Sequence, residues 1–211
     1  MKPVSTYENR LDLDPGWALQ EGSLHFEEKS KVQLALHKMV SRLGQLNVPY
    51  ALAGGMALFQ YGHRRFTEGI DILVNEAGLK TIRENLEGRG YLPPFTGSKQ
   101  LRDTEHGVRI EFLVSGGFPG DGKPKPIAFP DPAMVATKVN GLQCISLQSL
   151  IELKLASGMS NALRAKYIAD VIALLQVLHL GEDYAQQLNP YVREKYLELW
   201  RAVQADDSAS Q

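Results

Sequence analysis

Cysteine is all but missing from this chain. Cys144 is the only one among 211 residues, which excludes an internal disulfide and any cysteine-rich zinc site. Long apolar runs are missing too: no stretch reaches the roughly 18 consecutive apolar residues of a membrane-spanning helix. Residues 1–14 lack the charged head, apolar centre and small-residue cleavage site of a signal peptide. The expectation is a cytoplasmic protein with no membrane partner and one unpaired, inert thiol. Neither sign of charge is in excess, since 23 Lys and Arg stand against 24 Asp and Glu. A non-specific grip on nucleic acid is therefore not expected, although a local basic patch is compatible with the balance. The five histidines, at 25, 37, 63, 106 and 179, have no zinc-type spacing. What is present is the composition of a globular domain, 44% apolar and 22% charged, long enough to bury a core without covalent staples.

The hydrophobic spacing divides the chain. Residues 1–25 show little pattern; Pro3, Asp14-Pro15-Gly16 and Gly22 read as helix breakers, giving an arm anchored by Trp17 and Leu19. Val32, Leu36, Met39, Val40 and Leu43 recur at three- and four-residue steps, predicting an amphipathic helix over 27–45. Val48 to Ala53 reads as a buried strand, Met56 to Tyr61 as a short helix and Thr67 to Val74 as a second strand. In that strand Ile70, Ile72 and Val74 share one face, while Gly69, Asp71 and Leu73 share the other. A helix is predicted over 77–88, a short extended piece over 91–94, and two strands over 99–103 and 108–114 around a turn at 104–107.

Residues 115–132 hold nine of the chain's thirty Gly and Pro residues, a density no regular element survives. Such a segment is either a binding loop or a surface connector. Asn140-Gly141 between apolar flanks predicts a hairpin over 135–146, and Ser146 caps a helix over 147–157. Further helices are predicted over 162–178 and 190–204. The domain reading is an arm at 1–25, an α/β domain at 26–146, a helical part at 147–204 and a frayed tail at 205–211. Tyr184, Tyr191, Tyr196 and Trp200 fall at helical spacing and read as packing residues.

The chemistry concentrates in Val48 to Val74 and in the strand carrying Glu111. Two glycines at a strand-to-helix turn let a backbone approach a ligand closely, and free amides at a helix start attract phosphate. Asp71 on the next strand and Glu111 on a third could hold magnesium against phosphate oxygens. The same residues are also explained by a plain Gly-Gly turn and two solvated acids on edge strands. His63-Arg64-Arg65 reads as a phosphate contact or a solvated loop. Lys123 and Lys125 read as closing groups or as solubilising charge. Asp170 could pair with Lys154 or Lys166.

The stretch Ala53-Gly54-Gly55-Met56-Ala57-Leu58, followed by Thr67-Glu68-Gly69-Ile70-Asp71-Ile72-Leu73-Val74, resembles the signature of the nucleotidyltransferase superfamily. Its small members include minimal nucleotidyltransferases and toxin-type enzymes of abortive-infection, toxin–antitoxin-like systems. The resemblance covers about residues 47–114 and extends to the segments around Lys154 and Arg164 to Asp170. It implies an α/β fold with a small mixed sheet, flanking helices and a helical C-terminal part. It implies a nucleoside triphosphate held by Gly54 and Gly55, with His63, Arg64 and Arg65 nearby. It also implies Asp71 and Glu111 as magnesium ligands and catalytic acids, and Lys154 as a catalytic cation. The acceptor implied is a protein, a tRNA end or a small hydroxylated molecule. The family's first metal-binding acid falls at Gly69, which implies one weakly held ion or a catalytically silent relative that binds a nucleotide, RNA or a protein. Glu68 is adjacent, but strand neighbours face opposite ways, so only a bulge could re-aim it.

Overall fold

The computed structural model of the chain describes residues 6–209. Two helices open it, α1 (Tyr7–Leu13) and α2 (Pro15–Phe26). The arm expected to lack helix is therefore helical, and the reason lies in the residues read as breakers. Pro15 occupies the first position of α2, where no backbone N–H is needed, and the Asp14 carboxylate accepts from Trp17 N. Gly22 is carried inside α2; Pro3 lies outside the described residues. Trp17 packs edge-on against Tyr7 with ring centroids 5.3 Å apart. Leu19 is 77% exposed and anchors nothing. The tie is polar instead: the Glu21 carboxylate accepts from Tyr7 Oη at 3.1 Å and from Lys31 N at 3.0 Å.

Helix α3 (Lys31–Gln45) starts later than the periodicity suggests, because Ser30 caps it through Gln33 N. Strand β1 (Ala51–Ala53) runs into α4 (Gly54–Gln60), followed by β2 (Gly69–Val74), α5 (Glu76–Leu86), β3 (Tyr91–Leu92), β4 (Gln100–Asp103) and β5 (Arg109–Val114). A long loop then leads through α6 (Pro132–Val135) to β6 (Ala136–Val139) and β7 (Leu142–Ile145). Asn140 and Gly141 join these strands with φ of 48° and 87°, the paired positive angles of a tight hairpin turn. Helices α7 (Leu147–Met159), α8 (Ala165–Val177) and α9 (Pro190–Ala209) complete the chain, with 3-10 segments at Ala162–Arg164 before α8 and Glu182–Gln187 before α9. Ser146 caps α7 as expected. The segment expected to fray from 205 remains helical to Ala209; residues 210–211 lie outside the described residues.

The strands form one mixed sheet in the order β3-β4-β5-β2-β1-β7-β6. β2 runs parallel to β5 and β1 parallel to β7; the other neighbours are antiparallel. Strand alternation sends Ile70, Ile72 and Val74 into a core with α3 and α5 on one face. Leu73 joins the other core, built with α7, α8 and α9. Cys144 is fully buried, and burial pushes its thiol up to about 12, as an inert core sulfur requires. No helix of the described residues is long and apolar enough to cross a membrane.

Candidate active site

The site begins with sheet register. β2 and β5 pair so that Gly69 lies opposite Arg109 and Asp71 opposite Glu111. Register partners in a parallel pair share a face, so all four project toward α7 and α8. Both strands are interior to the sheet, which removes the alternative of solvated acids on edge strands. Ala53 at the end of β1 also pairs with Asp71, so the Gly54 turn emerges beside that carboxylate. The fit is tight: a Cβ built on Gly54 would lie 1.7 Å from Asp71 Oδ2, and Gly54 has φ +56°. At Gly55 a Cβ would meet the Thr67 side chain at 2.7 Å. The two glycines thus let the turn settle directly onto β2 and the segment before it.

Gly54, Asp71, Glu111 and Lys154 line one cavity of about 430 Å³. Its far wall is α7 and the Arg164–Tyr167 segment, and its roof is the Gly/Pro-rich loop through Phe118, Pro119 and Phe129. The loop is therefore part of the cavity and not a remote connector. Ser115 Oγ donates to the Pro130 carbonyl at 2.9 Å, closing the loop's base. Lys125 Nζ donates to the Pro119 carbonyl and to Asp121 Oδ1, both at 2.6 Å, so this lysine braces the loop. Lys123 is exposed on its outer side.

The electrostatics of the cavity are divided. Burial pushes the Asp71 carboxyl above its usual range, opposed by Lys154 and Arg109. Burial and then the charge of Asp71 push Glu111 up as well, opposed by Arg109 and Gln100. Neither acid has an ion-pair partner among the described residues; the cations that act on them do so from a distance. Across the cavity the charge is positive. Arg164 donates only to neutral oxygens, Ser157 Oγ at 3.0 Å and Tyr167 Oη at 3.2 Å. Lys99 stands exposed on the lining.

Lys154 is placed differently from the rest. It is 4% exposed and donates to Asp170 Oδ2 at 2.6 Å. Arg65 reaches the same carboxylate through Nε at 2.9 Å and Nη2 at 3.3 Å. Burial lowers the pKa of Lys154, and Asp170 holds it up. His63 lies 3.9 Å from Asp170, and Arg64 turns away to Glu28 at 3.7 Å. Thus His63, Arg64 and Arg65 do not line the cavity, and neither does Gly55. Arg65 supports Asp170, which in turn holds Lys154.

Glu68 does not replace the acid absent at Gly69. β2 pairs without a bulge from Gly69 onward, and Glu68 is exposed and does not line the cavity. Residues that sequence reasoning passed over are Lys99, Arg109 and Tyr167. Arg109 was within reach of strand alternation, two residues before Glu111. Lys99 and Tyr167 depend on tertiary packing that carries no sequence signal.

A divalent ion fits the Asp71/Glu111 pair by donor chemistry: hard carboxylate oxygens, adjacent in register, opening into a cavity and joined to no salt bridge among the described residues. A second acidic group, Asp103, Glu105 and His106, brings its ligand atoms within 4.8 Å of one another. There Lys38 Nζ already bonds Asp103 at 2.6 Å and Glu105 at 2.8 Å, so an ammonium supplies the positive charge.

No family model and no curated protein sequence matches the chain. Solved structures do. The crystal structure of ANT(2")-Ia in complex with adenylyl-2"-tobramycin aligns over 82% of this chain and 97% of its own, with TM-score 0.50 and 14% identity. The solution structure of the antibiotic-resistance factor ANT(2")-Ia aligns over 82% and 91%, with TM-score 0.50 and 15% identity. A crystal structure of JHP933 from Helicobacter pylori aligns over 82% and 89%, at TM-score 0.46 and 16% identity. The ANT(2")-Ia neighbours are nucleotidyltransferases. At this identity the likeness is one of fold, and the chain has the nucleotidyltransferase-like fold: a mixed sheet with flanking helices.

Proposed function

We propose that this chain binds a nucleoside triphosphate with magnesium in the cavity, and that the site serves nucleotidyl transfer to a hydroxyl-bearing acceptor. The observation that carries the reading is the register-matched Asp71/Glu111 pair, which opens beside Gly54 into a cavity that Lys99 and Arg164 also line. Asp71 and Glu111 would hold the ion, which supplies charge neutralisation and polarisation at a phosphate oxygen. The missing side chain at Gly54 lets backbone approach the phosphates. Arg164 and Lys99 oppose the triphosphate charge, and Lys154 adds a buried positive charge fixed in place by Asp170. Phe118 and Phe129 give the cavity an apolar lining on the loop side. Transfer would join the acceptor oxygen to the α-phosphorus and break its bond to the pyrophosphate oxygen. One of the two carboxylates, Asp71 or Glu111, would accept the hydroxyl proton. A groove continuing past Lys99 and Gly117 toward Arg83 offers the acceptor a route.

The test is thermal stabilisation by ATP, CTP, GTP and UTP with and without magnesium, followed by transfer of labelled nucleotide to protein, tRNA and small hydroxylated acceptors. Magnesium-dependent stabilisation that disappears in Asp71→Asn supports the reading. No stabilisation by any triphosphate overturns it. Gly69 supports a second reading, a catalytically silent module, which predicts stabilisation without transfer to any acceptor.

A further inference from the structure

The residue opposite Gly69 is Arg109, and its side chain covers the glycine. A Cβ built on Gly69 would lie 3.4 Å from Arg109 Nε, 3.6 Å from Nη2 and 3.1 Å from the Arg109 carbonyl. The β2–β5 pair therefore presents four register-matched positions on one face of the sheet: two carboxylates on the cavity lining, and at the next level, beside that lining, a guanidinium lying over a bare backbone. Two divalent ions would need a carboxylate shared between them. Residue 69 supplies none, and the space its side chain would enter holds a fixed positive charge.

We propose that Arg109 serves as the second cation of this site. One divalent ion sits between Asp71 and Glu111, and the Arg109 guanidinium supplies the positive charge that a second ion would otherwise bring to the nucleotide's phosphate. The inference rests on the nucleotide-binding reading above. Three features support it. Arg109 forms no ion pair among the described residues, so its charge is uncommitted. A guanidinium presents a planar fork of donors that suits phosphate oxygens. It also stands one register step from both carboxylates, which puts its charge next to Asp71 and Glu111. An arginine neutralises charge without polarising a bound hydroxyl as a metal ion does, so nucleotide binding depends on Arg109 more directly than proton removal from the acceptor.

The arrangement also fixes what restoring the acid does. In Gly69→Asp the new carboxylate meets the guanidinium at once and forms an ion pair, so metal binding gains nothing. Only Gly69→Asp combined with Arg109→Ala frees the carboxylate for a second ion.

The experiment counts bound Mn2+ by electron paramagnetic resonance in the presence of a non-hydrolysable ATP analogue, with analogue affinity measured by calorimetry. The expected result is one Mn2+ per chain in the wild type and in Gly69→Asp, and two in Gly69→Asp/Arg109→Ala. Arg109→Gln weakens analogue binding at least tenfold, and Arg109→Lys recovers part of the loss. Two ions in the wild type, or unchanged affinity in a folded Arg109→Gln, overturn the role of Arg109 and leave the nucleotide-binding reading standing. A wild type that binds neither Mn2+ nor the analogue overturns both. Because the wild-type count needs no variant, misfolding of a substituted chain does not protect the proposal.

Discussion

A methyl group at residue 54 has nowhere to go, because the Asp71 carboxylate occupies the space. Gly54→Ala must also hold φ at +56°, which costs a residue with a Cβ about 1–2 kcal/mol before any clash. The expected outcome is a destabilised protein that has lost triphosphate binding, checked by denaturant melts and calorimetry; a stable, binding Gly54→Ala would show that the turn is not shaped around Asp71. The acids themselves work against folding at neutral pH. Burial raises the folded pKa of Asp71 and Glu111, so the native state keeps their protons to higher pH than the unfolded chain. The stability this contributes is present at acid pH and is lost as pH rises through the unfolded carboxylate range near 4 and on through the folded values. Asp71→Asn should therefore stabilise the ligand-free protein at pH 7 by on the order of 1 kcal/mol, and the advantage should vanish below pH 4. A ligand-free Asp71→Asn that melts lower at pH 7 contradicts this. At this scale the sequence is informative: strand alternation puts Gly69, Asp71 and Leu73 on one face, and the Gly-Gly pair marks the turn after β1. The partner of Gly69 was not legible, because Arg109 acquires that role only through the β2–β5 register.

Between elements, the strongest buried tie joins α7 to α8. Lys154 and Asp170 meet at 2.6 Å with both side chains 5% exposed, and Arg65 brings in the chain after α4. Asp170→Ala leaves a buried ammonium unpaired, so it should cost about 3–5 kcal/mol. Replacing both partners, Lys154→Met with Asp170→Leu, should recover most of that loss in chemical denaturation; failure to recover would mean that Asp170 acts mainly through Arg65. His25 supplies a second tie, with Nε2 3.1 Å from the Arg65 carbonyl and its ring edge-on to Phe26, Phe59 and Phe66. Burial lowers its pKa, so its contribution is full above the unfolded value near 6.5 and is lost as pH falls below it. His25→Leu should flatten the stability profile between pH 7 and 5. Element type was readable wherever a local rule acts alone: the α3 periodicity, the Asn140-Gly141 turn, the Ser146 cap. It failed at α1 and α2, where Pro15 and Gly22 were read as breakers. Pro at a first helical position is a start signal, and only the Asp14 cap distinguishes the two.

For the whole molecule, strand order assembles the cavity. β1 sits between β2 and β7, which delivers the Gly54 turn to the Asp71 carboxylate on one side and the α7 helix on the other. No periodicity in the sequence encodes that order, because it is decided by which apolar faces close the two cores together. The formal net charge of −1 likewise conceals a cavity with acids on the sheet and cations on the opposing wall. The direct test is a crystal structure grown with Mn2+ and a non-hydrolysable ATP analogue, with the metal located by anomalous scattering. The account predicts one peak between the Asp71 and Glu111 carboxylates, within bonding distance of the analogue's phosphates. A peak at Asp103, Glu105 and His106 instead, or an analogue bound outside the cavity, would contradict it.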